Sequence, residues 1–194
     1  MVSTVMETRV VQAYGAIARE KNTSRLWVPP NLISPIAVTG VWAMEVNSNV
    51  PSLATDDAGG ASERLMVPCP VEFSDMIVTG STAVDRGIQI VGLELIYQVA
   101  ASALATFDLD IWKVTYDLEG VATAAEVTTT LSFDTAGDTG VEIDEHRASA
   151  LIAARDREFW DGGKTFHGEI DIGDGTASDV NILGAIWHLY RRYE

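Results

Sequence analysis

A single cysteine in 194 residues, Cys69 between Pro68 and Pro70, leaves no partner for an internal disulfide and no thiolate cluster for a structural zinc. Lysine is scarce, with Lys21, Lys113 and Lys164 only, and the arginine pairs Arg155/Arg157 and Arg191/Arg192 do not build a basic stripe. With 28 acidic residues against 13 basic ones the net charge is −15, so a phosphate backbone would be repelled and direct nucleic-acid binding is not expected. No apolar run approaches the roughly eighteen residues that a membrane-spanning helix needs, because even residues 88–99 contain Gln89, Glu94 and Gln98. The first residues have no basic region followed by an apolar one and a cleavage site, which leads to the expectation of a protein made in the cytoplasm without a leader. Also missing are a Gly-x-Ser-x-Gly elbow, a Walker loop, a Gly-x-Gly-x-x-Gly turn and a His-Glu-x-x-His pair, and among 28 acids no carboxylate pair stands out for glycoside hydrolysis. The chain therefore reads as a non-enzyme with no cofactor.

What remains is a globular composition, 47% hydrophobic and 21% charged, in a length that suits one domain plus an arm. Residues 4–21 carry Met6, Val10, Tyr14 and Ile17 at helical spacing, although Val10, Val11 and Gly15 lower helix propensity and leave an extended arm as the alternative. From 22 to 61 the prolines 29, 30, 35 and 51 and the glycines 40, 59 and 60 break the chain into short extended pieces. Trp27 and Trp42 lie in this broken stretch and must pack on something, either the domain itself or a neighbouring subunit. Tyr14, Trp27 and Trp42 are accordingly the candidate assembly residues of an N-terminal arm, 1–61, ahead of a β-domain, 62–194.

The β-domain is legible from period-two alternation. Residues 88–99 place Val91, Leu93, Leu95, Tyr97 and Val99 on one face, which predicts a core-facing strand. In 107–116 the apolar phase changes, from Phe107, Leu109 and Ile111 to Trp112, Val114 and Tyr116, as a β-bulge or burial on both faces would require. Further strands are expected at 125–133, at 166–172 and near 147–154, where the alanines suit a short helix equally well, and the last, 180–190, is apolar on both faces and so central in its sheet. Strands at this spacing with turn residues between them predict an all-β fold, an antiparallel sandwich of the single jelly-roll type.

Three chemistries deserve weighing. His146, His167 and His188 are evenly spaced but lack the close pairing of a zinc site. The carboxylates of 134–144 and 171–179 sit on turns, as calcium would want, yet do not follow the twelve-residue calcium loop, and aspartate beside glycine is ordinary turn chemistry. No metal site is assigned. The five tryptophans raise sugar stacking, but Trp112 and Trp187 lie in apolar strands and read as core, leaving Trp160 and the two acidic turns for a glycan-binding alternative.

Residues 85–104, Asp110-Ile-Trp-Lys-Val114, Ala124-Ala-Glu-Val-Thr-Thr-Thr130, Asp144-Glu-His-Arg147 and Leu183-Gly-Ala-Ile-Trp187 together resemble tailed-phage and environmental viral proteins regarded as virion-surface or capsid-associated jelly rolls. The resemblance runs over about residues 65–190. It implies a structural virion protein, forming or decorating a capsid as a symmetric homo-oligomer alongside other virion proteins. The alternative left open is a receptor- or glycan-binding module of a phage tail or fibre.

Overall fold

The computed structural model describes residues 23–37, 41–47, 50–55, 63–69, 87–100, 104–127, 131–132, 146–157, 164–173 and 179–192. The segment 4–21 with Tyr14, the turn at 134–144, most of the turn at 171–179 and Trp160 lie outside the described residues. Among the described residues twelve strands follow one another: β1 (Thr23–Val28), β2 (Ser34–Ala37), β3 (Trp42–Asn47), β4 (Val50–Thr55), β5 (Glu63–Pro68), β6 (Gly87–Ala100), β7 (Thr106–Tyr116), β8 (Ala122–Glu126), β9 (Leu131–Ser132), β10 (His146–Leu151), β11 (Lys164–Gly173) and β12 (Asp179–Arg192). Among the described residues the only helical pieces are two single 3-10 turns, Pro30–Leu32 and Ala154–Asp156.

The strands form two antiparallel sheets. The first runs β10-β6-β12-β4-β3, with β1 also on β12, and the second runs β2-β5-β11-β7-β8, with β9 on β7. Taking β4 to β8 and β10 to β12 as eight consecutive strands, the inner orders 10-6-12-4 and 8-7-11-5 are those of a double Greek key, so the sandwich is a jelly roll. The chain crosses between sheets at β1 to β2, β2 to β3, β4 to β5, β5 to β6, β6 to β7, β9 to β10, β10 to β11 and β11 to β12.

Alternation explains the core. Leu93, Leu95, Tyr97 and Val99 of β6 and Ala185, Trp187 and Leu189 of β12 meet Phe107, Leu109 and Ile111 of β7 and Phe166, Ile170 and Ile172 of β11. Tyr97 and Phe107 stack across the sheets with ring centroids 4.5 Å apart. Gly168 of β11 lets the layers approach, since a Cβ there would collide with Leu93 of the facing sheet and stand 3.2 Å from the Val67 Cβ. Trp187 is buried in this core and its indole N–H donates to the Pro68 carbonyl at 2.8 Å.

Two sequence expectations change here. Residues 23–55 are not an arm laid over the surface: β1 pairs β12 from Thr23↔Tyr190 to Val28↔Ala185, β4 pairs β12, β3 pairs β4 and β2 pairs β5. Prolines 29, 30 and 35 fall between or at the edges of these strands, so they punctuate the sheet without excluding its pairing. Val91 is not on the core face. The register between β6 and β12 shifts at His188/Leu189, which turns Val91 into a separate cluster with Leu151 and Tyr190.

Candidate functional site

The outer face of the second sheet follows from the same alternation. With Phe107, Leu109 and Ile111 inward, β7 presents Asp108, Asp110, Trp112, Val114 and Tyr116 outward, and its pairing with β11 and β8 shows no register shift. The phase change read from the sequence is therefore neither a bulge nor full burial on both sides: the inward side chains are buried as far as Ile111, while outward Trp112 and Val114 are half-buried and Tyr116 is exposed. Trp112, expected in the core, is half-buried on this outer face, because the core phase gives way after Ile111 to Lys113 and Thr115 near the end of the strand.

Register then places the neighbours. Pro68, His167, Trp112 and Glu126 form one row across β5, β11, β7 and β8. Beside it stand Met66, Glu169 and Asp110, and beyond them Arg64, Asp171 and Asp108. On the other side the partners are small: Val114 faces Thr165 and Ala124, and Tyr116 faces Ala122. Trp112, Val114 and Tyr116 thus make an apolar stripe along β7, about 14 Å long at 3.4 Å per residue, raised over alanine neighbours and ending in a block of hydrogen-bonding groups. Tyr116 is exposed, as are Leu118 and Val121 in the turn that follows. That turn is held by Asp117, whose Oδ1 accepts from the backbone N–H of Glu119 at 2.9 Å and of Val121 at 2.8 Å.

The electrostatics of this face are acidic with one committed cation. Arg64 Nε sits 2.7 Å from Glu169 Oε1 and 3.8 Å from Asp171 Oδ2. Burial pushes the His167 imidazole below its ordinary value of 6.5, against the opposing charge of Glu169. The Trp112 indole N–H is shielded from solvent and has no hydrogen-bond partner among the described residues.

The outer face of the first sheet differs. At its centre Glu94, 3% exposed, accepts a 2.8 Å hydrogen bond from Arg147 Nη1 through Oε1, while its Oε2 lies 3.2 Å from His188 Nε2. Burial would raise the Glu94 carboxyl, but the hydrogen bonds from His188 and Arg147 and their charges outweigh it and hold the group below its ordinary 4.5. Sequence reading missed this triad. Alternation already put Glu94 opposite the core face, but its partners are 53 and 94 residues away, and only strand order brings them together.

Of the three candidate assembly residues, Tyr14 lies outside the described residues, Trp42 is engaged within the chain and Trp27 is half open. The Trp42 indole packs on the core and donates 2.8 Å to Glu63 Oε2, tying β3 of one sheet to β5 of the other. Trp27 faces out from β1 opposite Ile186. The three histidines do not converge, since His167 lies in the second sheet and His146 and His188 in the first. No group of three or more potential metal ligands forms among the described residues.

The sequence matches no protein-family model and no curated protein. Its fold is similar to several solved structures. The CBM22-1 xylan-binding domain of Xyn10C from Paenibacillus barcinonensis has a TM-score of 0.48 at 11% identity over 90% of this chain and 99% of that one. A xylan-binding module, CBM15, gives 0.46 at 9% identity over 88% and 99%. The enzymatically active domain of tailspike protein 4 of bacteriophage CBA120 gives 0.37 at 6% identity, covering 86% of this chain and 19% of that one.

Proposed function

We propose that this chain is a saccharide-binding module, and that the outer face of its second sheet receives the glycan. The observation that carries the reading is the stripe Trp112, Val114, Tyr116, half-buried at its first two residues and exposed at the third, which lies between the small side chains of Ala122, Ala124 and Thr165 and runs into Asp110, His167, Glu169 and Arg64. An aromatic surface takes the C–H face of a pyranose, and carboxylates, imidazole and guanidinium take its hydroxyls, a division of labour usual in ligand sites. Among the described residues this face offers hydrogen-bonding groups beside an aromatic stripe and no carboxylate pair set across a cleft, so binding without turnover is the reading. Affinity electrophoresis through gels containing soluble polysaccharides tests it: at least one polysaccharide retards the wild-type chain, and Trp112→Ala and Tyr116→Ala each migrate faster in that gel. Retardation by none across neutral and acidic polysaccharides, or retardation untouched by both variants, overturns it.

A second reading, assembly of copies as a virion protein would need, is favoured by one edge. Among the described residues the end strand β3 pairs β4 alone, and Met44 and Val46 on it, Val50 on its hairpin partner and Val41 just before it are exposed. A second copy paired antiparallel about Met44 would set Glu45 opposite Ala43, so that no like charges meet. Light scattering of the wild-type chain and of Val46→Lys tests it, with a discrete oligomer that the lysine dissociates as the supporting result and a wild-type monomer as the contrary one.

A further inference from the structure

On the opposite side of the sandwich, Trp27 is the large aromatic most open to solvent among the described residues, at 48%. Its position is built by the partner strand. Gly184 in β12 has φ +147, where L side chains are rare, and follows a register irregularity after Ile182. A Cβ at Gly184 would collide with Cζ2 and Cη2 of the Trp27 indole and stand 2.9 Å from the Val28 carbonyl oxygen. The benzo edge of the ring therefore rests on bare backbone, and the rest of the indole stands free of the core.

Two residues before it on the same face is Arg25, exposed, whose side chain makes no hydrogen bond or ion pair among the described residues. Arg25 pairs in register with His188, and His188 and Arg147 occupy both oxygens of Glu94. The Glu94 carboxylate beside His188 is thus already committed. In a chain of net charge −15 this leaves an exposed arginine and an exposed tryptophan about 7 Å apart along the strand backbone, with no ion pair to that arginine among the described residues. Screening beyond roughly 8 Å at physiological salt makes this local arrangement count for more than the distant acids.

We infer that Trp27 and Arg25 form a second ligand site, on the outer face of the first sheet, for a sugar that carries a carboxylate. The indole takes the apolar ring face and the guanidinium forks onto the carboxylate through two parallel N–H···O bonds, a geometry lysine would not reproduce. The neutral counterpart of such a sugar loses the fork and binds more weakly. The site shares no residue with the Trp112 stripe, and it rests on the reading of the chain as a saccharide binder only in its ligand class.

Titration calorimetry of the full chain with uronic-acid oligosaccharides (oligogalacturonate, oligoalginate and hyaluronan oligomers) and with neutral xylo- and gluco-oligosaccharides decides it. The expected result is binding of at least one uronate oligomer that weakens tenfold or more in Trp27→Ala and in Arg25→Gln, keeps its affinity in Trp112→Ala, and falls as salt rises. Arg25→Gln alters only an exposed side chain, so it reports even where Trp27→Ala perturbs folding. Binding of neutral oligomers without any uronate binding overturns this inference and leaves the Trp112 reading standing; binding of neither class overturns both. Uronate binding lost in Trp112→Ala, or unchanged in Arg25→Gln, overturns the second site. A fall in native mass on Trp27→Ala without any uronate affinity makes Trp27 a subunit contact and likewise overturns it.

Discussion

Replacing Glu94 with Gln tests whether the outer triad of the first sheet contributes to stability as its geometry requires. The carboxylate is nearly inaccessible and receives Arg147 at 2.8 Å and His188 at 3.2 Å. Glutamine keeps the volume and one acceptor oxygen but removes the charge, so only one of the two partners still faces an acceptor oxygen and neither keeps its attraction to a carboxylate. Removing a partner from a fully buried pair costs about 3–5 kcal/mol, but the Arg147 side chain is 33% exposed and regains water, which lowers the expected loss to about 2 kcal/mol. For a chain of this length that corresponds to a fall of about 4–8 °C in Tm. The pH dependence has a definite sign. A carboxyl held below its ordinary value stabilises the fold fully above 4.5, and that contribution is lost as pH falls through the folded value. Urea unfolding of both proteins from pH 7 downward should therefore give the widest gap above 4.5 and a closing gap below it. A difference within about 0.5 kcal/mol at pH 7, or a gap that widens on acidification, refutes the reasoning.

Gly184→Ala places a methyl group in the Trp27 indole and forces a residue with φ +147; a loss of about 1–3 kcal/mol in urea unfolding is expected, together with an altered tryptophan emission as the ring is displaced. His167, held below 6.5 by burial, resists the proton that the unfolded chain takes up, so it makes no demand above 6.5 and lowers stability as pH drops from 6.5 to its folded value. His167→Gln should flatten the stability profile in that window, and an unchanged slope counts against the burial argument.

Much of the architecture is local and hence legible in the sequence. Alternation in 166–172 and 180–190 gives β11 and β12, the two-sided apolar pattern of β12 matches its central place, and the regular spacing of strands matches the jelly-roll sandwich. The early strands were hidden because β1 to β4 are short and broken by proline, and their pairing depends on β12 and β5, which come later in the chain. The candidate site was half legible. The apolar phase change at Ile111-Trp112 marks the place where β7 starts to carry its large side chains outward, but an apolar residue in a strand reads equally as core, and only strand order separates the two. Gly184 gave a clearer signal, a glycine inside an otherwise bulky strand, which indicates a close approach of another group and here is met by Trp27. The Glu94 triad has no local signature at all, being assembled from β6, β10 and β12.

The most direct test of saccharide binding at the second sheet is a titration followed by the tryptophan indole N–H resonances, using a polysaccharide fragment that retards the chain in gels. The account predicts that the Trp112 resonance and the backbone amides of β7, β8 and β11 around it shift with the ligand, while the core Trp187 resonance stays fixed. Shifts that leave Trp112 and its neighbours unmoved, or no shift with any oligosaccharide tried, would contradict it.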